Sequence, residues 1–129
     1  MSTLTKVLEK NVAEIEKDAN MTEGRFRLGH HLMPPVGWLN DPNGLCWYKG
    51  RYHVFFQYAP FDVEGGLKFW GHYTSEDMVD WKYEGTALYP DSPYDCHGVY
   101  SGSAFTEHGK MHLFFTGNVK IDGDYDYIN

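Results

Sequence analysis

Gly50-Arg51-Tyr52-His53-Val54-Phe55-Phe56 returns 59 residues later as Gly109-Lys110-Met111-His112-Leu113-Phe114-Phe115. In each copy a turn ending in glycine leads into a run of aromatic and aliphatic residues, the composition of a strand. Alternation places Tyr52, Val54 and Phe56 on one face and His53, Phe55 and Gln57 on the other. A strand carrying large apolar groups on both faces is expected between two neighbouring layers. Leu45 to Lys49 and Ser101 to Thr106 precede the two turns, so each copy predicts a hairpin. Phe69 to Ser75 and Asp80 to Glu84 supply further strands in the interval. A repeat of this length holding about four strands is the signature of a β-propeller blade. The 129 residues supply only about two blades at that period, which leaves a propeller ring open with strand edges exposed.

Upstream of the repeat the period changes. Leu4, Val7, Leu8, Val12, Ile15 and Ala19 fall at steps of three and four with Glu, Lys and Asp between them, which predicts an amphipathic helix over residues 2–20. Ser2 or Thr3 is placed to cap it, and its stripe is expected to pack on the main body. From Gly24 onward the chain reads as short strands broken by Gly, Pro, Asn and Asp. The expected organisation is therefore a helical segment, 1–23, followed by an all-β region, 24–129.

The bulk numbers exclude several function classes. The chain is 42% hydrophobic and 17% aromatic, so it is expected to bury a core. The formal charge of −7, with 11 Lys and Arg and no basic cluster, argues against nucleic acid or an anionic membrane as partner. A small, polar, neutral substrate fits better. The N-terminus holds no signal-length apolar run, and no window approaches the roughly 20 apolar residues of a spanning helix, which predicts a cytoplasmic protein. Cys46 and Cys96 share no motif spacing and read as reduced thiols. The 7 histidines share no ligand spacing, and no cofactor or metal is expected. Asp122-Gly123-Asp124-Tyr125-Asp126 opens like a calcium loop, but Tyr127 stands where the sixth-position glycine is required.

The candidate chemistry lies in Trp38-Leu39-Asn40-Asp41-Pro42-Asn43-Gly44. Pro42 fixes its own φ and pushes Asp41 toward an extended conformation, while Asn43-Gly44 is a turn pair able to take φ > 0. A carboxylate held in one direction inside such a loop, at the opening of a strand, suits covalent catalysis at a sugar. The run closely resembles the nucleophile motif of glycoside hydrolase family 32, the β-fructofuranosidases. Further motifs follow in the family's order: Phe56-Gln57-Tyr58, Trp70-Gly71-His72, Ser75-Glu76-Asp77-Met78-Val79-Asp80-Trp81 and Tyr100-Ser101-Gly102-Ser103-Ala104. The resemblance spans about His30 to Val119.

That resemblance implies a five-bladed propeller, hydrolysis of sucrose or sucrose 6-phosphate with retention, and Asp41 as the nucleophile. It implies a fructosyl pocket built from Asn40, Gln57, Tyr100 and Ser101, walled by Trp38 and Leu39. Amides and hydroxyls read sugar hydroxyls as both donors and acceptors. Trp70 fits either the pocket or the neighbouring blade, and Trp81 is expected in the core. Gly65-Gly66 departs from the tryptophan frequent at the pocket rim, which leaves the leaving-group side open. The family's other catalytic groups sit in Arg-Asp-Pro and Glu-Cys motifs, and neither motif occurs here. The chain is thus expected to be an N-terminal piece, inactive alone, that needs the remainder of the catalytic domain to close the ring. A non-catalytic fructosyl-binding fragment or a truncated remnant is the alternative.

Overall fold

The computed structural model describes residues 2–20, 24 and 27–120. Its elements are α1 (Thr3–Asn20), β1 (Trp38–Tyr48), β2 (Arg51–Ala59), β3 (Phe69–Ser75), β4 (Trp81–Leu88), β5 (Val99–Glu107) and β6 (Lys110–Gly117). The first four strands form an antiparallel sheet in the order β1-β2-β3-β4, and β5 and β6 pair in a second sheet. This is one four-stranded blade and the first hairpin of the next. Among the described residues the ring stays open.

The repeat extends to backbone geometry. Lys49 and Gly50 have φ of 49° and 79°, and His108 and Gly109 have 49° and 71°, so both hairpins turn through two left-handed residues. Such turns match the right-handed twist of the strands they join. A Cβ at Gly50 or Gly109 would meet nothing within 4 Å, so the turn's φ, not crowding, favours glycine there.

Three expectations need correction. β1 begins at Trp38, not Leu45, so Asp41 lies within a strand and not in a loop before one. The strand accommodates Pro42, which lacks an N–H, through register breaks between Leu39 and Pro42 and between Asn43 and Cys46. Second, β2 is buried on both faces as expected, but β6 is not: Phe114 and Phe115 are 60% and 40% exposed, because β5 is the only strand paired with β6 among the described residues. Third, Leu4 and Val7 of the helical stripe are exposed.

That third difference has a polar cause. The helix meets the sheet along Thr5, Leu8, Val12 and Glu16. Val12 enters the cluster formed by Phe56, Tyr58, Phe69 and Tyr73, against which Leu8 also packs. Glu16 Oε1 accepts hydrogen bonds from the hydroxyls of Tyr58 (2.9 Å) and Tyr83 (2.8 Å), and the Thr5 hydroxyl donates to Asp91. Burial first, then neighbouring groups that include Glu16, push both tyrosine hydroxyls far above the ordinary phenol range. At the start of α1, Ser2 Oγ accepts from Thr5 N (3.0 Å) and Ser2 N donates to Thr5 Oγ1 (3.2 Å), a reciprocal cap. No helix among the described residues is long and apolar enough to cross a membrane.

The opposite face of β2 and β3 holds Phe55, Trp70 and, from the second sheet, Val99. His72 stacks on Phe55 with centroids 4.3 Å apart, and its Nε2 lies 2.9 Å from His53 Nδ1. Trp81 is half-buried against the first cluster, with Nε1 donating to Met78 O at 3.2 Å, as its expected core role requires. Cys46 and Cys96 are free thiols.

Two predictions concern stability. A Cβ on Gly71 would sit 2.2 Å from Cζ of Phe56, a ring only 2% exposed, whereas one on Gly50 meets open space. Gly71→Ala is expected to cost about 3 kcal/mol by overpacking, and Gly50→Ala about 1 kcal/mol by φ strain alone, in urea unfolding. Equal costs would show that Phe56 is free to move aside. Burial, and then the charge of His53, lower the His72 pKa from 6.5 to about 4. The unfolded chain therefore binds a proton that the folded chain refuses between those values. The neutral ring's contribution is whole above pH 6.5, falls as the pH drops, and is gone below about 4. His72→Gln is expected to flatten this part of the stability profile, measured as urea midpoints across that window.

Candidate functional site

β1 and β5 face each other across the junction of the two sheets, and the site is built where both depart from regular pairing. In β1, Leu39 pairs with Tyr58 and Pro42 with Phe56, so Asn40 and Asp41 bulge out of the ladder beside Gln57. In β5, the pairing with β6 is likewise interrupted between Val99 and Gly102. The two residues of that interruption, Tyr100 and Ser101, and the paired residues on either side, Val99 and Gly102, each bond to the first blade. Val99 N donates to Lys68 O (2.8 Å), and Tyr100 O accepts from Trp70 Nε1 (3.0 Å). Ser101 Oγ donates to Asp41 Oδ2 (3.1 Å), and Gly102 N donates to Asn43 Oδ1 (3.1 Å).

Asn43 is the centre of this arrangement. It is 3% exposed, and its amide both accepts from Gly102 and donates through Nδ2 to Asp41 O at 3.2 Å. One side chain thus fixes the backbone that carries the carboxylate and the strand that carries its serine partner. Close approach is built into the glycines: a Cβ at Gly102 would lie 1.9 Å from Phe114 O, and one at Gly44, whose φ is 54°, 2.7 Å from the Phe55 ring. The aspartate itself is exposed, so its carboxylate is offered to solvent from a rigid mount.

The structure places the expected pocket residues in two groups. Asn40, Asp41 and Ser101 are exposed, and Trp38 and Tyr100 are half-buried, so these five present surface. Trp38 and Tyr100 flank one cation: Lys68 Nζ lies 5.2 Å from the first ring's centroid and 5.5 Å from the second's. Leu39 is half-buried and packs on the first core cluster, and Gln57 is 4% exposed. Trp70, which by sequence fits either the pocket or the neighbouring blade, packs in the second core cluster. It has no exposed surface, its ring packs with Phe55, and its indole N–H holds the Tyr100 carbonyl.

Sequence reasoning missed Asn43 and Lys68. Asn43 carried a signal, its place beside a left-handed glycine, but that pair reads equally well as an exposed turn. Lys68 carried no signal, because nothing in Leu67-Lys68-Phe69 announces two aromatic rings from distant segments. Glu76 and Glu84 are engaged within their own blade, by Arg51 (2.6 Å) and by Lys82 (3.0 Å). Among the described residues no group of three or more His, Cys, Asp and Glu side chains could hold a metal, and the acidic run Asp122–Asp126 lies outside them.

Residues 31–128 match the model of the glycosyl hydrolases family 32 N-terminal domain. The sucrose-6-phosphate hydrolase of Bacillus subtilis is 52% identical over 108 residues, covering 83% of this chain and 22% of that protein. The solved sucrose-6-phosphate hydrolase of Lactobacillus gasseri superimposes with a TM-score of 0.78 at 40% identity, over 92% of this chain and 24% of that one. The Bombyx mori β-fructofuranosidase superimposes with a TM-score of 0.80 at 35% identity, over 92% of this chain and 25% of that one. The chain therefore spans about a fifth of the length of the curated relatives it matches.

Removing the bridging amide tests the geometry. Asn43→Ala leaves the Gly102 N–H without its partner and is expected to cost about 2 kcal/mol in urea unfolding. Ser101→Ala, at an exposed site, is expected to cost under about 1 kcal/mol. The reverse order would mean that the exposed Asp41–Ser101 contact, not the buried amide, joins the strands.

Proposed function

The chain belongs to glycosyl hydrolase family 32, and from that membership we propose that it carries the nucleophile half of a retaining β-fructofuranosidase acting on sucrose or sucrose 6-phosphate. Residues 24–129 are the N-terminal part of the five-bladed catalytic domain, and residues 1–23 are its helical lead. The observation that carries this reading is the exposed Asp41 carboxylate on a bulged strand, steadied by Ser101 of the next blade at 3.1 Å.

In the first step a carboxylate oxygen of Asp41 attacks the anomeric carbon of the fructosyl unit. The bond to the leaving oxygen breaks, and that oxygen takes a proton from a second carboxylic acid. In the second step the same group, now a base, deprotonates a water that displaces the fructosyl ester from Asp41. Retention requires the two carboxyl groups to stand roughly 5–5.5 Å apart. With no Glu-Cys or Arg-Asp-Pro motif in the sequence, the acid/base and the stabilising aspartate come from the remainder of the domain. The chain alone forms the fructosyl subsite and does not turn over sucrose. Asn40, Gln57 and Ser101 hold the sugar hydroxyls, with Trp38 and Tyr100 as its walls. The rival reading, a module that binds fructosyl groups without chemistry, uses the same residues but needs no nucleophile.

A fructosyl donor whose leaving group needs no protonation, such as fructosyl fluoride, separates the two readings. Intact mass spectrometry of the 129-residue chain is expected to show one fructosyl adduct, mapped to Asp41 and missing in Asp41→Ala. Binding of the donor without any adduct would favour the non-catalytic module. Sucrose hydrolysis by the pure chain, lost in Asp41→Ala, would overturn the claim that it is inactive alone.

A further inference from the structure

Three segments meet on Lys68, the residue that ends the loop between β2 and β3. Its carbonyl accepts from Val99 N (2.8 Å) at the start of β5. Its ammonium group donates to the Gly66 carbonyl (3.1 Å). The same group lies over the ring of Trp38, at the start of β1, and over that of Tyr100, in β5. A surface lysine ordinarily lays its stem on the protein and extends its head into water. Lys68 is half-buried, and its head is turned back between two rings.

The loop is shaped for this contact. Gly65 and Gly66 have φ of 126° and 34°, in the region that favours glycine, and their bend turns the Gly66 carbonyl onto the ammonium group. A Cβ at Gly65 would stand 3.9 Å from the Trp38 indole and 3.7 Å from Lys68 Nζ. Across the junction, a Cβ at Gly98 would lie 2.8 Å from the Tyr100 ring and 3.4 Å from Lys68 Cβ. Each ring is thus packed against backbone, with the cation as the element they share.

The face of an aromatic ring carries partial negative charge, so one ammonium group attracts both rings. These rings belong to different sheets, which the Asn43 amide joins through the backbone and Lys68 joins through side chains. Walls fixed before the sugar arrives pay no ordering cost when it binds. We infer that Lys68 is a positioning residue for the fructosyl site, its ammonium group setting the spacing and tilt of the Trp38 and Tyr100 walls. It acts through the rings and takes no part in the reaction at Asp41. This inference rests on the fructoside reading, and its test separates failure of one from failure of the other.

Fructosyl fluoride is offered to the 129-residue chain over a range of concentrations, and growth of the Asp41 adduct is followed by intact mass spectrometry. Half-saturating concentration and limiting rate are read separately, because a loosened wall weakens binding whereas a lost reacting group slows the limiting rate. Lys68→Met and Lys68→Gln are each expected to raise the half-saturating concentration about tenfold and to keep the limiting rate within about twofold. Gln still offers a donor to the Gly66 carbonyl, so it separates the charge from the hydrogen bond. Lys68→Arg keeps a cation able to lie over both rings and is expected to stay within about threefold of the unaltered chain on both readouts. Circular dichroism reports whether each variant is folded, and Gln carries the test if Met does not fold. A merely structural fault would lower the adduct yield at saturation and leave half-saturation where it was.

Unchanged half-saturation in Lys68→Met and Lys68→Gln would overturn the inference and leave the fructoside reading standing, since the adduct still forms. Recovery in Gln as complete as in Arg would show that the Gly66 hydrogen bond suffices, and would overturn it as well. An Arg variant as weak as Met would do the same, because a cation over the rings would then restore nothing. No adduct on the unaltered chain at any concentration would sink the fructoside reading and this inference with it.

Discussion

The amide of Asn43 holds together two strands that share no ladder, and the geometry of the whole site depends on it. β1 and β5 belong to different sheets, so their approach rests on bonds made where each leaves its own pairing. Val99, Tyr100, Ser101 and Gly102 each bond to the first blade, and Asn43 supplies a buried side chain that reaches both backbones. Low exposure makes this amide stiff, because leaving either of its partners unpaired in the interior carries a full desolvation penalty. The carboxylate beside it is free of that burial. Stiffness and solvent access are thus divided between neighbouring residues, Asn43 and Asp41.

A similar division occurs where α1 docks. The helix is held by apolar contact at Val12 and by a carboxylate, Glu16, that receives two tyrosine hydroxyls. Tyr58 and Tyr83 would otherwise end in a poorly solvated layer with nothing to donate to. A helix satisfying them can tolerate exposure of Leu4 and Val7, since its register is set by hydrogen bonds as much as by its apolar stripe.

Much of the blade was legible in the sequence, because its cause is local. Alternation in Tyr52 to Gln57, the glycines at 50 and 109, and the Phe69 to Ser75 run depend only on side-chain period and on the φ that a tight hairpin needs. The helix was legible for the same reason, and of its two candidate caps, Ser2 and Thr3, Ser2 takes the role. What escaped were interactions whose partners lie far apart in sequence. Glu16 looks like a solvent-facing residue until Tyr58 and Tyr83 are placed beside it, and Lys68 looks unremarkable until Trp38 and Tyr100 close around it. Fully buried Trp70 illustrates the converse: a residue type at home in sugar pockets serves instead to hold the Tyr100 carbonyl.

The misplacement of Asp41 in a loop has a more general origin. Asp-Pro-Asn-Gly has turn composition, and turn composition means residues that bond outside a regular ladder. An inner blade strand that must aim a carboxylate sideways needs that same departure, because a residue in perfect pairing points straight up or down from the sheet. Pro42 cannot donate to the neighbouring strand, Gly44 takes a left-handed φ, and Asn43 replaces lost backbone bonds with side-chain ones. The features that made the segment read as a break in the sheet are the ones that let it remain a strand while turning its carboxylate toward the next blade.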